Sequence, residues 1–167
     1  MDIQKLSTRF SVTILTEKDI DVIYELCAGN PLFYQYCPPF ITRKAILEDL
    51  KALPPNKTYD DKYYVGFWEE EQLVAIMDLI VGYPDEKTAF IGLFMLEKSM
   101  QGLGCGSRII EECSQFLKRE GFAFIRLGYA KGNPQSEHFW KKNGFEDTGI
   151  EVQNEGYVVV VLQKTLS

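Results

Sequence analysis

The residues that most clearly point to chemistry form the stretch 101–107. In order they are Gln101, Gly102, Leu103, Gly104, Cys105, Gly106 and Ser107. Three glycines remove side chains that would keep a ligand away from the main chain. An apolar run at 90–96 predicts a strand before them, and apolar residues at helical spacing from Ile109 to Leu117 predict a helix after them. Because a helix N-terminus offers unpaired N–H groups, the stretch predicts a phosphate or pyrophosphate site; a glycine-rich turn without a ligand is the alternative.

Two nucleotide sites fit this stretch poorly. A nucleotide P-loop ends in Gly-Lys-Ser/Thr, and no lysine follows Gly106. A dinucleotide fingerprint needs a different glycine spacing and an acidic residue at the end of the next strand. Here that predicted strand ends in Tyr129-Ala130-Lys131. The glycine spacing therefore disfavours ATP and NAD.

Composition narrows the function classes further. The 167 residues predict one domain spanning 1–167, and the net charge of −6 disfavours nucleic-acid binding while mildly favouring a cationic substrate. No apolar run approaches 18 residues, which predicts no membrane span. The N-terminal residues lack the composition of a signal peptide. Four cysteines without a C-x-x-C pair and a single histidine argue against a metal site and predict a cytoplasmic protein.

Periodicity and turn residues predict an α/β (α+β) domain. Strands are expected at 10–15, 63–68, 73–82, 88–96, 122–129, 145–152 and 157–164. Helices are expected after the N-cap residues Thr16 and Thr42, after the glycine stretch as far as Gly121, and at 136–143. The second to fourth strands predict an antiparallel meander, and the strand–helix–strand passage around 101–121 predicts one parallel pair.

Residues 31–40 form an unusual aromatic segment broken by prolines. It is expected to be neither a regular helix nor a central strand. The segment could pack its aromatic side chains on the core. It could equally form a wall of a substrate site, with Phe33, Tyr34 and Tyr36 as the binding residues.

A second constellation lies at 133–145, which reads Asn-Pro-Gln-Ser-Glu-His-Phe-Trp-Lys-Lys-Asn-Gly-Phe. It resembles the signature Asn-x-x-Ala-x-x-(apolar)-Tyr-x-x-x-Gly-Phe of the GNAT superfamily of N-acetyltransferases. Upstream, Gln101-x-x-Gly104-x-Gly106 resembles the acyl-CoA loop of the same superfamily. The two motifs occur in the right order, and the predicted elements fit the whole GNAT domain.

The resemblance implies a mixed, mostly antiparallel sheet of six or seven strands with flanking helices and a splayed parallel pair. It implies transfer of an acetyl group from acetyl-CoA to a primary amine by direct attack in a ternary complex. The acceptor could be a small molecule or a peptide amine. A non-catalytic acyl-CoA sensor or scaffold of the same fold is the alternative, and a homodimer through the terminal hairpin is conceivable.

The resemblance also implies site residues. The main chain at Phe94, Met95 and Leu96 would pair with pantetheine and hold the thioester carbonyl. Residues 101–107 would hold the pyrophosphate, Asn133 the pantetheine arm and Lys142 a CoA phosphate. Trp140 stands where the family has its usual acid, a tyrosine, and an indole cannot deliver a proton. Trp140 is therefore expected to shape the cofactor site only.

The acid and the base stay open in the sequence. Tyr129 at the end of its strand is one candidate acid, and Tyr34 and Tyr36 are others. Asp78 interrupts an apolar strand, which predicts either a hydrogen-bonded structural role or a base with a raised pKa. His138 is expected to be a surface or structural residue.

Overall fold

A seven-stranded sheet forms the centre of the computed structural model, which describes residues 1–167. Its strands are β1 (Ser11–Ile14), β2 (Lys62–Glu69), β3 (Gln72–Val81), β4 (Thr88–Leu96), β5 (Phe124–Ala130), β6 (Glu146–Asn154) and β7 (Tyr157–Thr165). They lie in the order β1-β2-β3-β4-β5-β7-β6. Every neighbouring pair is antiparallel except β4 and β5. The predicted meander, the parallel pair and the mixed sheet are confirmed.

Five α-helices cover the two faces of this sheet. They are α1 (Ile20–Ala28), α2 (Pro31–Tyr36), α3 (Arg43–Lys51), α4 (Cys105–Arg119) and α5 (Pro134–Lys142). Short 3-10 helices occupy Ile3–Leu6, Glu17–Asp19, Tyr59–Asp61 and Lys98–Met100. None of the helices has both the length and the apolar content needed to cross a bilayer.

Two apolar cores lie on opposite faces of the sheet. Ile109 and Phe116 of α4 pack in one core, and Ile23 of α1 and Ile46 of α3 pack in the other. Neighbouring residues of β3 such as Met77 and Ile76 belong to different cores because side chains alternate along a strand. Each such side chain stabilises the fold by roughly 1.5–3 kcal/mol through burial. The sheet is therefore held rigidly from both sides.

The prediction for residues 31–40 was wrong in its first half, because Pro31–Tyr36 forms α2. Proline is tolerated at the first position of a helix, where its missing N–H has no intrahelical partner. The prolines at 38 and 39 then prevent the helix from continuing. The predicted helix at 136–143 begins earlier, at Pro134, for the same reason.

The parallel pair separates part-way along its length. Pairing with β5 covers only Thr88 to Ile91, although β4 continues to Leu96. On the other side of β4, the register with β3 shifts so that Gly92 has no partner. Such a bulge bends a strand and changes its direction. The end of β4 therefore leaves the sheet, and an opening forms beside β5.

Candidate active site

The glycine stretch forms a turn with an exposed main chain before α4. Gly102 and Gly104 have φ values of 76° and 81°, a left-handed conformation that other residues adopt only with strain. A Cβ atom at either position would meet nothing within 4 Å. α4 begins at the next residue, Cys105. The first N–H groups of α4 lack intrahelical partners, so this turn suits an anion.

α4 and α5 approach each other closely at Gly106. A Cβ atom there would lie 3.0 Å from Cε1 of Phe139, so a larger residue would push the helices apart. α5 itself begins at the N-cap Asn133, whose Oδ1 accepts hydrogen bonds from the N–H groups of Gln135 and Ser136. The contact at Gly106 places the N-terminal end of α4 against the second half of α5.

A cleft of about 320 Å³, here called the glycine cleft, lies between the end of β4, residues 101–107 and α5. Most of the residues predicted to bind the cofactor line it: Phe94, Met95, Leu96, Gln101, Gly102, Gly104, Gly106, Ser107, Asn133, Trp140 and Lys142. Leu103 and Cys105 do not. Leu103 is 70% exposed on the outside of the turn, and Cys105 is buried in the core.

Several residues of the glycine cleft were missed by sequence reasoning. They are Asn30, Gln135, Ser136, His138 and Phe139. His138 is predicted from the sequence to be a surface or structural residue, and it is indeed exposed, at the rim of the cleft. The helix start at Pro134 adds Gln135 to α5, and the approach of α5 to α4, which spacing does not reveal, places Ser136, His138 and Phe139 at the cleft. Nothing in the sequence links Asn30 to this site, since it follows α1, some seventy residues earlier.

Gln101 ties three segments together at the mouth of the glycine cleft. Its Nε2 donates to the carbonyl of Leu96 at 3.0 Å and to Oδ1 of Asn30. Asn30 in turn donates to the same carbonyl at 3.1 Å and to that of Leu26 at 3.0 Å. The Leu96 carbonyl thus has two donors already. The side chain of Gln101 fixes the end of β4 against the end of α1.

The main-chain N–H and C=O groups at the end of β4 point alternately towards β3 and towards the opening beside β5. The N–H of Glu97 donates to the Val74 carbonyl of β3 at 2.8 Å. Because main-chain groups alternate along a strand, those of Met95 also face β3, and those of Phe94 and Leu96 face the opening. The main-chain groups of Met95 are therefore not free for a ligand in the opening, and its buried side chain packs in the core that α1 and α3 cover.

Trp140 is a packing residue at the inner end of the glycine cleft. It is buried, and its ring centroid lies 5.9 Å from Phe94, 4.9 Å from Phe139 and 5.2 Å from Phe145. Edge-to-face contacts of this kind are favourable beyond simple burial. Trp140 therefore gives the cleft a rigid apolar wall.

Two polar side chains stand at the outer end. Ser107 Oγ accepts a hydrogen bond from Asn143 Nδ2 at 3.2 Å. The ammonium group of Lys142 lies 5.8 Å from the Phe139 ring centroid. The outer end therefore combines a hydroxyl, a cation and a helix N-terminus.

A second cavity of about 240 Å³, here called the strand cavity, lies where β4 and β5 separate. It is lined by residues of β4 and β7, by residues of β5 that include Tyr129, and by Phe33 of α2. The strand cavity shares five lining residues with the glycine cleft: Phe33, Phe94, Asn133, Ser136 and Trp140. The two spaces therefore meet at the splayed strands.

Tyr34 and Tyr36 line neither space. The Tyr34 hydroxyl hydrogen-bonds to the thiol of Cys27, and burial raises the pKa of both groups, that of Cys27 to about 11. Tyr129 does reach the strand cavity, and its hydroxyl lies near the carboxylate of Glu137 of α5. Burial is the main cause that raises the pKa of Tyr129, and the Glu137 carboxylate adds to it.

Asp78 lies outside both spaces, on the sheet face that α1 and α3 cover. Its carboxylate forms an ion pair with Lys62 at 2.9 Å, and both side chains are largely buried. Burial raises the pKa of Asp78, and Lys62 partly offsets this. Oδ2 of Asp78 lies 3.3 Å from where a Cβ on Gly92 would stand, and Gly92 lines the strand cavity. Asp78 therefore stands directly beside the cavity wall.

Asp49 of α3 interacts with the charges of Asp78 and Lys62, and these three residues form a charged cluster. The side chain of Asp49 keeps an exposed surface, but the protein on its other sides removes enough water to raise its pKa to about 6. The negative charge of Asp78 raises the pKa of Asp49 further, and Lys62 lowers it. No three His, Cys, Asp or Glu side chains come together as ligands for a metal ion.

The family model for the acetyltransferase (GNAT) family matches residues 30–145. The chain belongs to the GNAT family. It is an acyltransferase of the N-acetyltransferase type, and the matched residues include the glycine turn, the splayed strands and α5. The chain has no match among curated protein sequences.

Solved structures show the same fold at low identity. An acetyltransferase from Thermus thermophilus is 19% identical, with a TM-score of 0.73 over 94% of this chain and 97% of that one. An acetyltransferase from Salmonella typhimurium that modifies the N-terminal serine of ribosomal protein L7/L12 is 14% identical, with a TM-score of 0.75 over 97% and 98%. PaiA N-acetyltransferase from Thermoplasma acidophilum, solved with coenzyme A, is 15% identical, with a TM-score of 0.66 over 93% and 98%.

Proposed function

We propose that this GNAT enzyme transfers an acetyl group from acetyl-CoA to a primary amine by direct attack in a ternary complex. The observation that carries the proposal is the meeting of two spaces at the splayed strands. A donor in the glycine cleft and an amine in the strand cavity would face each other at Phe94. No covalent enzyme intermediate is required, because each reactant has its own approach.

The residues of the glycine cleft fit acetyl-CoA, which supplies the acetyl group as a thioester. The open turn at Gly102 and Gly104 and the N-terminus of α4 would hold the pyrophosphate. Ser107 and Lys142 would add a hydroxyl and a cation at the outer end. The main-chain N–H groups of Phe94 or Leu96, which face the opening, would stabilise the carbonyl oxygen as it becomes negative.

Two residues are proposed for proton transfer, Tyr129 as the acid and Asp78 as the base. Tyr129 lines the strand cavity and would return a proton to the sulfur that leaves. Asp78 stands behind Gly92 and would accept the amine proton through water in the strand cavity. A raised pKa suits a carboxylate to this task because it makes the group a stronger base.

Thermal unfolding with acetyl-CoA, CoA, ATP and NAD tests the donor. A ligand at a hundredfold excess over its Kd stabilises the native state by about 2.7 kcal/mol. Acetyl-CoA and CoA are expected to raise the midpoint, and ATP and NAD to leave it unchanged. No rise with either CoA species would contradict the proposal. The next assay follows CoA release with a panel of amines, and protection without release would indicate a non-catalytic acyl-CoA binder.

Tyr129→Phe and Asp78→Asn test the two proton-transfer roles. Loss of a general acid or base typically lowers kcat by about 10² to 10⁴. Asp78→Asn should also remove the acidic limb of the kcat/KM profile. If either variant keeps kcat within threefold of the parent, that residue has no such role.

Two further features of the protein complete the proposal. All four cysteines are unpaired, which supports a reducing compartment such as the cytoplasm. β6 is an edge strand, and Ile150 and Val152 on it are exposed. Pairing of two β6 strands across a two-fold axis is the homodimer that this edge allows, and the mass measured by light scattering tests it.

A further inference from the structure

The strand cavity has no charged lining. Among the 17 residues that form its wall, 12 are hydrophobic, and none is an aspartate, glutamate, lysine, arginine or histidine. The chain as a whole carries 42 acidic and basic residues in 167. The absence of charge is therefore a property of this cavity and not of the protein.

The strand cavity is also small. Its volume of about 240 Å³ lies below the roughly 300–1,000 Å³ typical of sites for drug-sized ligands. Phe90 and Leu93 of β4, Leu127 of β5 and Val159 of β7 supply apolar side chains to its wall. The space suits one aromatic ring or one short branched chain.

Two loops that are far apart in the sequence close the cavity on its outer side. Cys37, after α2, and Tyr157, at the start of β7, face each other across the cavity edge. Beside them, Cγ of Pro38 lies 3.7 Å from where a Cβ on Gly156 would stand. Cys37 and Tyr157 both line the strand cavity. This contact encloses a small molecule more readily than the end of a long chain.

We propose that the acceptor is a small monoamine with an apolar body, of about one ring or one branched alkyl chain, which carries neither a carboxylate nor a second ammonium group. This inference rests on the proposed function. A carboxylate placed here would lose water and be repelled by Asp78 behind Gly92, and a second ammonium would lose water with no charged side chain in the wall itself to pair with. An uncharged wall also favours the neutral form of the amine that reacts.

The step balances without any further reactant. The amine nitrogen forms a bond to the acetyl carbon, and the bond from that carbon to sulfur breaks. The electron pair leaves with sulfur, and the proton lost by nitrogen replaces the charge on the thiolate. The products are an uncharged amide and CoA, so no charge remains in the strand cavity.

Matched pairs of amines test the substrate class on the unmodified protein. Phenethylamine is compared with phenylalanine, which adds a carboxylate, and 3-methylbutylamine with 1,4-diaminobutane, which adds a second ammonium. The apolar member of each pair is expected to have a kcat/KM at least about tenfold higher. A charged member that equals or exceeds its partner overturns the proposal. A peptide with an N-terminal leucine that exceeds both apolar amines overturns it as well.

A variant can reverse the preference. Val159→Asp places a carboxylate in the wall, and the ratio of kcat/KM for 1,4-diaminobutane over 3-methylbutylamine should rise at least about tenfold. Val159→Thr, of similar shape and without charge, should keep the parent ratio. An unchanged ratio in a Val159→Asp protein that still binds acetyl-CoA overturns the proposal. If that variant does not fold, the amine pairs on the parent protein decide alone.

Failure of the proposed function gives a different pattern. If no amine releases CoA although acetyl-CoA raises the unfolding midpoint, the transfer activity is wrong. Calorimetry with the CoA-saturated protein then tests the substrate class on its own. Phenethylamine should bind at least about tenfold more tightly than 1,4-diaminobutane. Equal binding, or no binding of either amine, overturns the inference.

Discussion

The glycine cleft and the strand cavity meet at the same splayed strands but differ in the groups that line them. The glycine cleft offers main-chain groups, a helix N-terminus and polar side chains, much of it from one continuous stretch, 101–107. The strand cavity offers apolar side chains from β4, β5, β7 and α2. One space is suited to a charged ligand and the other to an uncharged one.

With the donor in the glycine cleft and the acceptor in the strand cavity, as proposed, this difference would let one fold keep its donor site while its acceptor site varies. A site made of main chain depends on backbone conformation, which a few glycines and a helix start determine. A site made of side chains changes with every residue in its wall. The two spaces should therefore respond separately to substitutions, and four predictions test this separation.

The largest expected effect is at Gly104. Gly104→Val should raise the Kd for CoA roughly a hundredfold, because a β-branched residue is strained at positive φ and its side chain enters the space a phosphate needs. Isothermal titration with CoA measures it. Gly149→Val is the matched control, since Gly149 has a φ of 80° and equal open space on β6. Equal CoA affinity in both variants would contradict the role of the turn.

The next largest expected effect is a weaker binding of the amine, caused by a substitution that changes the strand cavity alone. Gly128→Ala adds a Cβ that would overlap Cγ1 of Val159, so Val159 must move into the cavity. The amine KM is expected to rise about tenfold, while the Kd for CoA stays within twofold. The double variant Gly128→Ala/Val159→Ala removes the overlap and should recover most of the amine KM. An unrecovered KM would show that the overlap is not the cause.

A smaller effect concerns the connection between the two spaces. Gln101→Glu loses the donors to the Leu96 carbonyl and to Asn30. The free energy of unfolding should fall by about 1–2 kcal/mol, a shift of roughly 2–8 °C in the midpoint. Gln115→Glu makes the same change at an exposed position of α4 and should cost far less. Calorimetry of both variants without ligand decides whether Gln101 is structural before any CoA binds.

The smallest effect separates the strand cavity from the charged cluster behind it. The pKa of Asp49 is raised to about 6, so between about pH 4 and 6 the folded protein keeps a proton that the unfolded chain has lost. The free energy of unfolding therefore falls as pH rises through this window. Asp49→Asn should reduce this fall in the free energy of unfolding across the window by less than about 1 kcal/mol, because solvent screens an exposed carboxylate.

The control for Asp49 is its neighbour on α3. Glu48→Gln removes the same charge from an exposed position one residue earlier. Urea unfolding of both variants at several pH values provides the comparison. A slope that Glu48→Gln flattens as much as Asp49→Asn would indicate a general charge effect rather than the cluster with Asp78 and Lys62.

The sequence predicted the fold and the glycine turn because both depend on local patterns. Periodicity indicated all seven strands, and three closely spaced glycines before an apolar helix indicated the turn. Phe33 and Tyr129 of the strand cavity were predicted as site residues, but Asn30 and the apolar residues of β4, β5 and β7 in its wall were not, since they come together only through the order of strands in the sheet. The sequence predicted Gln101 as part of the pyrophosphate-binding stretch. Its side chain in fact hydrogen-bonds to Leu96 and Asn30, a contact that residue spacing alone does not reveal.

The early end of the pairing between β4 and β5 has a consequence for motion as well as for binding. Beyond Ile91 the amide hydrogens that point towards β5 have no strand partner, although they lie in the middle of a seven-stranded sheet. A ligand with its own amide groups would act as a substitute strand across this gap. We expect fast amide hydrogen exchange at Phe94 and Leu96 in the free protein. The exchange should become slower when such a ligand joins the two halves of the sheet.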